Sequence, residues 1–307
     1  MTGREEHPPR LHARPMMGTL VTIQVAHADR QAGADAAIER AFGWFQEIEE
    51  RCTRFNPQSE LMQLTAQAGL AVPASTILFE AVRFALEVAE ETGGAFDPTV
   101  GHRMEARGFN REYRTGKIVR AGIAPECDVS YRDVLLDCER RTITLRRPLL
   151  LDLGAVAKGL AVDAAGRELE PFRDFAIDAG GDLFLGGSNP EGAPWSVGIR
   201  HPRRDHELIH SLRVVNKAVC TSGDYERRSP DVEGHHILDP RTGTSPHSVA
   251  SATVVASSAM LADALGTAAL VLGPEDGIRL LHRMGVEGLL VTPDLDRFET
   301  EGLCHVA

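Results

Sequence analysis

The stretch LDLGAVAKGLAVDAAGREL, residues 151–169, sets an acid, two glycines and a lone cation close together where an apolar run meets a helical pattern. Asp152 interrupts the apolar run, Gly154 loosens it, and Lys158 is followed at once by Gly159. From there, small and apolar residues recur at helical spacing. Gly154 and Gly159 stand at GxxxxG spacing, but a phosphate loop places Lys and then Ser or Thr after its second glycine. Here the lysine precedes Gly159 and Leu160 follows it, so that motif is excluded. What survives is a glycine-bearing turn entering a helix, whose free N–H groups attract anions while Lys158 adds a mobile charge. A surface lysine on a tightly packed turn accounts for the same letters.

Outward from this junction the pattern mixes helices and strands. TLVTIQVAH (19–27) alternates and is β-branched, which predicts a strand. ADAAIERAFGWFQEIEERCTRF (34–55) predicts a helix with Ala37, Ile38, Ala41, Phe42, Phe45 and Ile48 on one face. TILFEAVRFALEVAEETGG (76–94) predicts another, closed by Gly93 and Gly94. DVLLDCERRTITLRRPLLLDLG gives two short strands around a charged turn, and DFAIDAGGDLFLGG (174–187) gives strand, double-glycine turn, strand. PWSVGIRHP and HSLRVVNKAVCTSGD add strands, and SATVVASSAMLADALGTAALVLG (251–273) is a strand followed by a small-residue helix. Strict βαβ alternation is absent and no 20–50-residue repeat occurs, so the class is α+β rather than a doubly wound sheet, solenoid or propeller. Residues 1–15 read as a flexible tail ahead of one domain over 16–307.

The chain has 307 residues, 43% hydrophobic and 25% charged, enough to bury a proper core. Its formal net charge of −11 argues against nucleic acid as a partner, while a small phosphorylated ligand stays open because a metal ion can offset local repulsion. The five cysteines, Cys52, Cys127, Cys138, Cys220 and Cys304, show no CxxC pairing, which points to buried thiols in a reducing compartment. The N-terminus has no secretory pattern and the chain no long uncharged apolar stretch, so the expected location is the cytoplasm with no membrane span.

Three more segments carry chemistry. In DVEGHHILDPRTGTSP (231–246), His235 and His236 are adjacent, so in a strand only one can face a given pocket; a hairpin with incidental histidines explains the same run. In ADALGTAALVLG (262–273), Asp263 and Thr267 lie four apart among small neighbours, placing two hard oxygens suited to Mg²⁺ or Ca²⁺ over one patch. A local Asp–Thr contact, or a threonine bonded back to its own helix, is the alternative. GGAFDPTVG (93–101) sets an acid beside a proline, with Phe96 able to stack on a ring.

Seven segments in order, MGT (17–19), RFNPQSEL (54–61), TGGAFDPTVG (92–101), LDLGAVAKGLAVD (151–163), DAGGDLFLGG (178–187), HHILDPRTG (235–243) and ADALGTAALVLG (262–273), resemble the FAD:protein FMN transferases, the ApbE-type flavin transferases. The resemblance runs from Met17 to Gly273. It implies an ApbE-like, T-fold-related α+β fold: a single two-lobed domain of mixed and antiparallel sheets packed with helices, its ligand cleft between the lobes. It further implies Mg²⁺-dependent transfer of FMN from FAD, the substrate, to a Thr or Ser hydroxyl of an acceptor protein, with AMP released. A hydrolase splitting FAD to FMN and AMP, or a non-catalytic FAD-binding module, would share the fold. By the same resemblance the metal maps to Asp263, Thr267 and the carbonyl of Ala155. FAD contacts map to Met17, Phe55, Ala95, Phe96, Asp97, Asp152, Lys158, His236 and Ile237. The nucleophile belongs to the acceptor, so this chain need supply only a proton acceptor: His236 by chemical type, with Asp97 in reserve and Lys158 facing the ligand. After FDPTVG the family carries Pro-Leu and a Trp-Gly-Phe-Gly run; this chain reads HRMEARGFNRE and keeps only Gly108-Phe109, a departure in the wall beside the flavin or the acceptor.

Overall fold

At the double glycine of residues 180–181, φ is +68° and +95°, the left-handed backbone that a tight hairpin demands and that glycine adopts without steric cost. The hairpin it closes lies inside the main sheet. The structure, a computed structural model, describes residues 10–26, 32–122, 128–228 and 234–305. In chain order the strands are β1 (Arg10–Met16), β2 (Thr19–Val25), β3 (Ala71–Pro73), β4 (Val134–Asp137), β5 (Thr142–Leu145), β6 (Phe175–Ala179) and β7 (Asp182–Gly186). There follow β8 (Trp195–Arg200), β9 (Leu208–Val214), β10 (Lys217–Gly223), β11 (Ser251–Ala256), β12 (Glu287–Val291) and β13 (Arg297–Glu299). The helices are α1 (Ala34–Cys52), α2 (Glu60–Thr65), α3 (Thr76–Glu91), α4 (Gly101–Ala106), α5 (Gly154–Leu169), α6 (Ala259–Leu272) and α7 (Pro274–Arg283).

The main sheet has eight strands in the order β1-β2-β6-β7-β10-β11-β12-β13, every neighbouring pair antiparallel. β3-β5-β4 form a small sheet, and β8-β9 a two-stranded ribbon. Alternation along the strands divides the core in two. Ile23, Ile177, Cys220, Val254 and Leu290 face one side and pack with α1, α3, α5 and α6. Val219, Val255, Leu289 and Val291 face the other and pack under the ribbon, against Trp195, Ile199 and Val214. β11 is buried at all six positions because it is covered on both faces. The α+β reading therefore holds.

The tail reading holds less well. Residues 10–15 belong to β1, which pairs with β2 from Arg10↔Val25 to Met16↔Thr19. RLHARPM carries three basic side chains and a proline, so its own letters signal no strand; the pairing with β2 supplies the hydrogen bonds, and an edge position tolerates Pro15. Residues 1–9 and Cys127 lie outside the described residues. Of the thiols expected to be buried, Cys52 and Cys220 are, whereas Cys138 and Cys304 are exposed.

α5 lies between α1 and α6 and rests on β6 and β7. Its contact with α6 is close: a Cβ at Gly159 would sit 2.5 Å from the Met260 Cα and 2.6 Å from the Ala259 carbonyl oxygen. Asp163, one turn further along α5, accepts the Ala259 and Met260 N–H groups at 2.7 and 3.0 Å and so caps the start of α6. This crossing sets the two helices that carry the charged residues of the site.

Candidate functional site

A cleft of about 1090 Å³ opens beside α1 and the N-terminal turn of α5. Its walls include Met17, Gly18, Glu49, Arg54, Phe55, Tyr113, Asp152, Leu153, Gly154, Lys158 and Arg227. Seven cationic side chains line it (Arg14, Arg54, Arg111, Arg114, Lys117, Lys158 and Arg227) against four acids (Glu49, Glu50, Glu112 and Asp152). In a chain of net charge −11 this is a local reversal of sign, suited to an anionic ligand.

Asp152 is fixed from two sides. Its Oδ2 accepts from Arg54 Nε at 2.5 Å, and its Oδ1 accepts from the Gly154 N–H at 2.8 Å. Burial alone would raise its pKa; the Arg54 guanidinium, assisted by the Gly154 N–H and Arg227, outweighs burial and holds the carboxyl below the ordinary carboxylate range. A Cβ at Gly154 would lie 2.9 Å from Asp152 Oδ1, so the carboxylate would have to shift. Arg54 also donates to the Phe109 carbonyl at 2.5 Å and stacks over the Phe55 ring at 4.3 Å. One buried guanidinium thus ties together three chain segments of the cleft. In RFNPQSEL the resemblance points to Phe55 alone, and the adjacent Arg-Phe pair is the local signal for Arg54.

Ala155 leaves helical geometry at φ −93°, ψ 16°, a bend at the expected place, three residues before Lys158. From α5, Lys158 reaches both the cleft and the interior. Its Nζ pairs with Asp182 and stands 3.7 Å from Asp263 Oδ2. Asp263 is 8% exposed, and its Oδ2 is sealed from solvent without a hydrogen-bond partner. Burial raises its pKa, against the opposing pull of Lys158 and Arg227. On the same face of α6, Thr267 Oγ1 lies 3.3 Å from Ser222 Oγ, beside Gly266. A buried carboxylate oxygen without a hydrogen-bond partner and a neighbouring hydroxyl are hard donors that fit a divalent cation such as Mg²⁺. Among the described residues no group of three or more His, Cys, Asp or Glu side chains gathers as a metal cluster; the expected set is of another kind, one carboxylate, one hydroxyl and one carbonyl.

The histidine pair lies outside any strand, His235 at an isolated bridge to Arg228 and His236 in the bend that follows. His235 is 3% exposed, with Nε2 at 2.9 Å from the Pro246 carbonyl oxygen and its ring edge-on to His247. His236 has its backbone N–H on the Arg227 carbonyl at 3.1 Å, and its Nδ1 is enclosed without a partner. Burial, then the charges of Arg227 and His235, push its pKa down to about 3, so the ring is neutral. It stands behind Arg227 rather than among the cleft walls.

Other expected ligand contacts are engaged elsewhere. Ala95, Phe96 and Ile237, at 3%, 5% and 6% exposed, are packed in the main core. Their side chains serve packing, so a contact from these positions would come from the backbone. Asp97 is a cap: its Oδ1 accepts from the Thr99 N–H and hydroxyl at 2.8 and 2.7 Å, and its Oδ2 from the Tyr131 N–H at 3.0 Å. Burial raises its pKa, against the hydrogen bonds from Thr99 and Tyr131 that both oxygens accept. Met17, Phe55, Asp152 and Lys158 are brought together in the cleft, with Asp263 behind Lys158. Arg54, Asp182 and Arg227 complete the arrangement, and the residue patterns had given them no role.

The ApbE family model matches residues 17–290. The FAD:protein FMN transferase of Treponema pallidum is 32% identical over 92% of this chain and 84% of its own length, and that of Escherichia coli K12 is 28% identical over the same shares. Among solved structures, the ApbE protein of Thermotoga maritima superposes with a TM-score of 0.84 at 28% identity, covering 95% of this chain and 97% of its own. The flavin transferase ApbE of Vibrio cholerae gives 0.83 at 25% identity, covering 96% and 98%. With fold, segment order and family model in agreement over most of its length, the chain belongs to the ApbE family.

Proposed function

We propose that this chain transfers FMN from FAD to a Thr or Ser hydroxyl of an acceptor protein, with Mg²⁺ required. In this reading the acceptor oxygen forms a bond to the flavin-side phosphorus of the diphosphate, the bond from that phosphorus to the bridging oxygen breaks, and AMP leaves with the electron pair. Lys158 supports it most: one ammonium both lines the cleft and lies 3.7 Å from the buried Asp263 carboxylate, linking an anion-holding wall to a set of hard oxygen donors. The names of the relatives from Treponema pallidum and Escherichia coli agree with the activity.

The roles follow from position. Lys158 and Arg227 offset diphosphate charge, and Arg54 keeps Asp152 ionised and oriented toward the nucleotide. Asp263, Thr267 and the Ala155 carbonyl would hold the Mg²⁺ ion, which when bound neutralises charge on the phosphoryl oxygens. His236 is the proton acceptor by chemical type; its Nδ1 is enclosed behind Arg227, so it would reach the hydroxyl only when a bound diphosphate draws Arg227 aside. Its low basicity rises once a diphosphate pairs with Arg227 and cancels one of the charges that hold it down.

Purified protein given FAD, Mg²⁺ and a Thr-bearing acceptor should release AMP and add one FMN to the acceptor by mass spectrometry. Asp263→Ala should lower AMP release at least about 100-fold while FAD still binds, as expected when charge stabilisation at the phosphoryl group is lost. Full activity of that variant under chelator would refute the metal assignment. AMP release at an unchanged rate without any acceptor would assign hydrolysis instead.

A further inference from the structure

Asp182 has no part in the roles above, yet it is the most enclosed charge beside the cleft. It opens β7 directly after the glycine turn and is 2% exposed. Its Oδ2 meets the Lys158 ammonium, and the same ammonium stands 3.7 Å from Asp263 Oδ2. Two carboxylates, each more than nine-tenths buried, therefore share one lysine. The contacts are unequal: Lys158 touches Asp182 and stands off from Asp263, while Oδ2 of each carboxylate is enclosed without a hydrogen-bond partner. Arg227 is the other cation whose field reaches Asp263. Buried charge left unbalanced is costly, so this cluster draws in further positive charge from the side where Asp263 is free.

We propose that Asp182 is a positioning residue of the cation cradle: it holds the Lys158 ammonium to one side and leaves Asp263 free for a divalent ion. Lys158 in turn supplies part of the positive charge when no ion is bound. The inference rests on the metal reading given under the proposed function and adds Asp182 and a second task for Lys158 to it.

Two variants should move cation affinity in opposite directions. Lys158→Met removes a competing cation, so Mn²⁺ should bind about tenfold tighter. In EDTA that variant leaves two buried carboxylates without their lysine and should melt about 5–10 °C below the wild type, the gap closing when Mn²⁺ is added. Asp182→Asn releases Lys158 to pair with Asp263 alone, so Mn²⁺ should bind at least about tenfold more weakly, with little change of melting temperature in EDTA. A structural role for Asp182 alone would lower stability without this opposition of sign.

The experiment titrates Mn²⁺ into the full chain, following free ion by electron paramagnetic resonance, with thermal unfolding in EDTA and in Mn²⁺. Asp263→Asn is the reference and should lose the ion. Unchanged Mn²⁺ affinity in both Lys158→Met and Asp182→Asn, with loss in Asp263→Asn, overturns the inference and leaves the metal reading intact. A wild type that retains no Mn²⁺ overturns both. Should Lys158→Met fail to fold, Asp182→Asn decides: weaker binding supports the inference, and unchanged or tighter binding overturns it.

Discussion

His236 stays neutral in the folded protein down to a pH of about 3, because burial and then the Arg227 charge disfavour the imidazolium. In the unfolded chain an imidazole takes up a proton near pH 6.5. Between those values the unfolded state binds a proton that the folded state refuses, so stability falls as pH drops from about 6.5 toward 3, on the order of 1 kcal/mol per pH unit. His236→Asn removes that dependence. Urea unfolding at pH 7 and pH 5 should show the wild type losing on the order of 1–2 kcal/mol more than the variant; equal losses would show that the ring is not enclosed. The residues legible in the sequence were those whose spacing is local. Asp263 and Thr267 share a helix face because they are four apart, and Asp152, Ala155 and Lys158 fall within seven consecutive residues around the start of α5. Asp182 arrives from the start of β7 and Arg227 from the loop after β10, and no local period marks them. Asp97 carries a second signal: Asp-Pro at the head of a short turn is a capping pattern, and its Oδ1 accepts from the Thr99 N–H.

At the scale of elements, the α5–α6 crossing explains why glycine follows Lys158. Gly159→Ala would place a methyl group 2.5 Å from the Met260 Cα, and backbone cannot yield as the tip of a side chain can. The helices must part, at a cost of about 1–3 kcal/mol or more by the usual penalty for overpacking. Because Lys158 and Asp263 sit on either side of that crossing, the variant should lose flavin transfer by more than its stability loss accounts for. Chemical denaturation alongside AMP-release kinetics below the melting transition checks this, and wild-type turnover in the variant would count against it. The helices themselves were readable: α1 and α3 carry clean apolar stripes, and their buried residues include Ile38, Phe45, Val82 and Ala85 as the periodicity predicts. β1 was not, since it borrows its order from β2 and three of its seven residues are basic.

Over the whole molecule, the reversal of sign in the cleft predicts a salt effect. Seven cationic side chains against four acids in a chain of net charge −11 draw an anion by fields that salt screens over about 10 Å at 0.1 M. Raising NaCl from about 50 to 500 mM should weaken FAD binding several-fold, read by flavin fluorescence, whereas a purely apolar cleft would bind as well or better. The α+β class was legible because strands and helices do not alternate strictly. Strand order was not, because pairings such as Val21↔Ala179 join segments more than a hundred residues apart through shape and burial alone. One consequence follows from β11, the strand wrapped on both faces. Its amides should be the last in the protein to exchange hydrogen for deuterium, opening only with global unfolding. α6 begins three residues later, so Asp263 and Thr267, the two side chains proposed to hold the metal, should keep their places through any partial opening that leaves β11 intact.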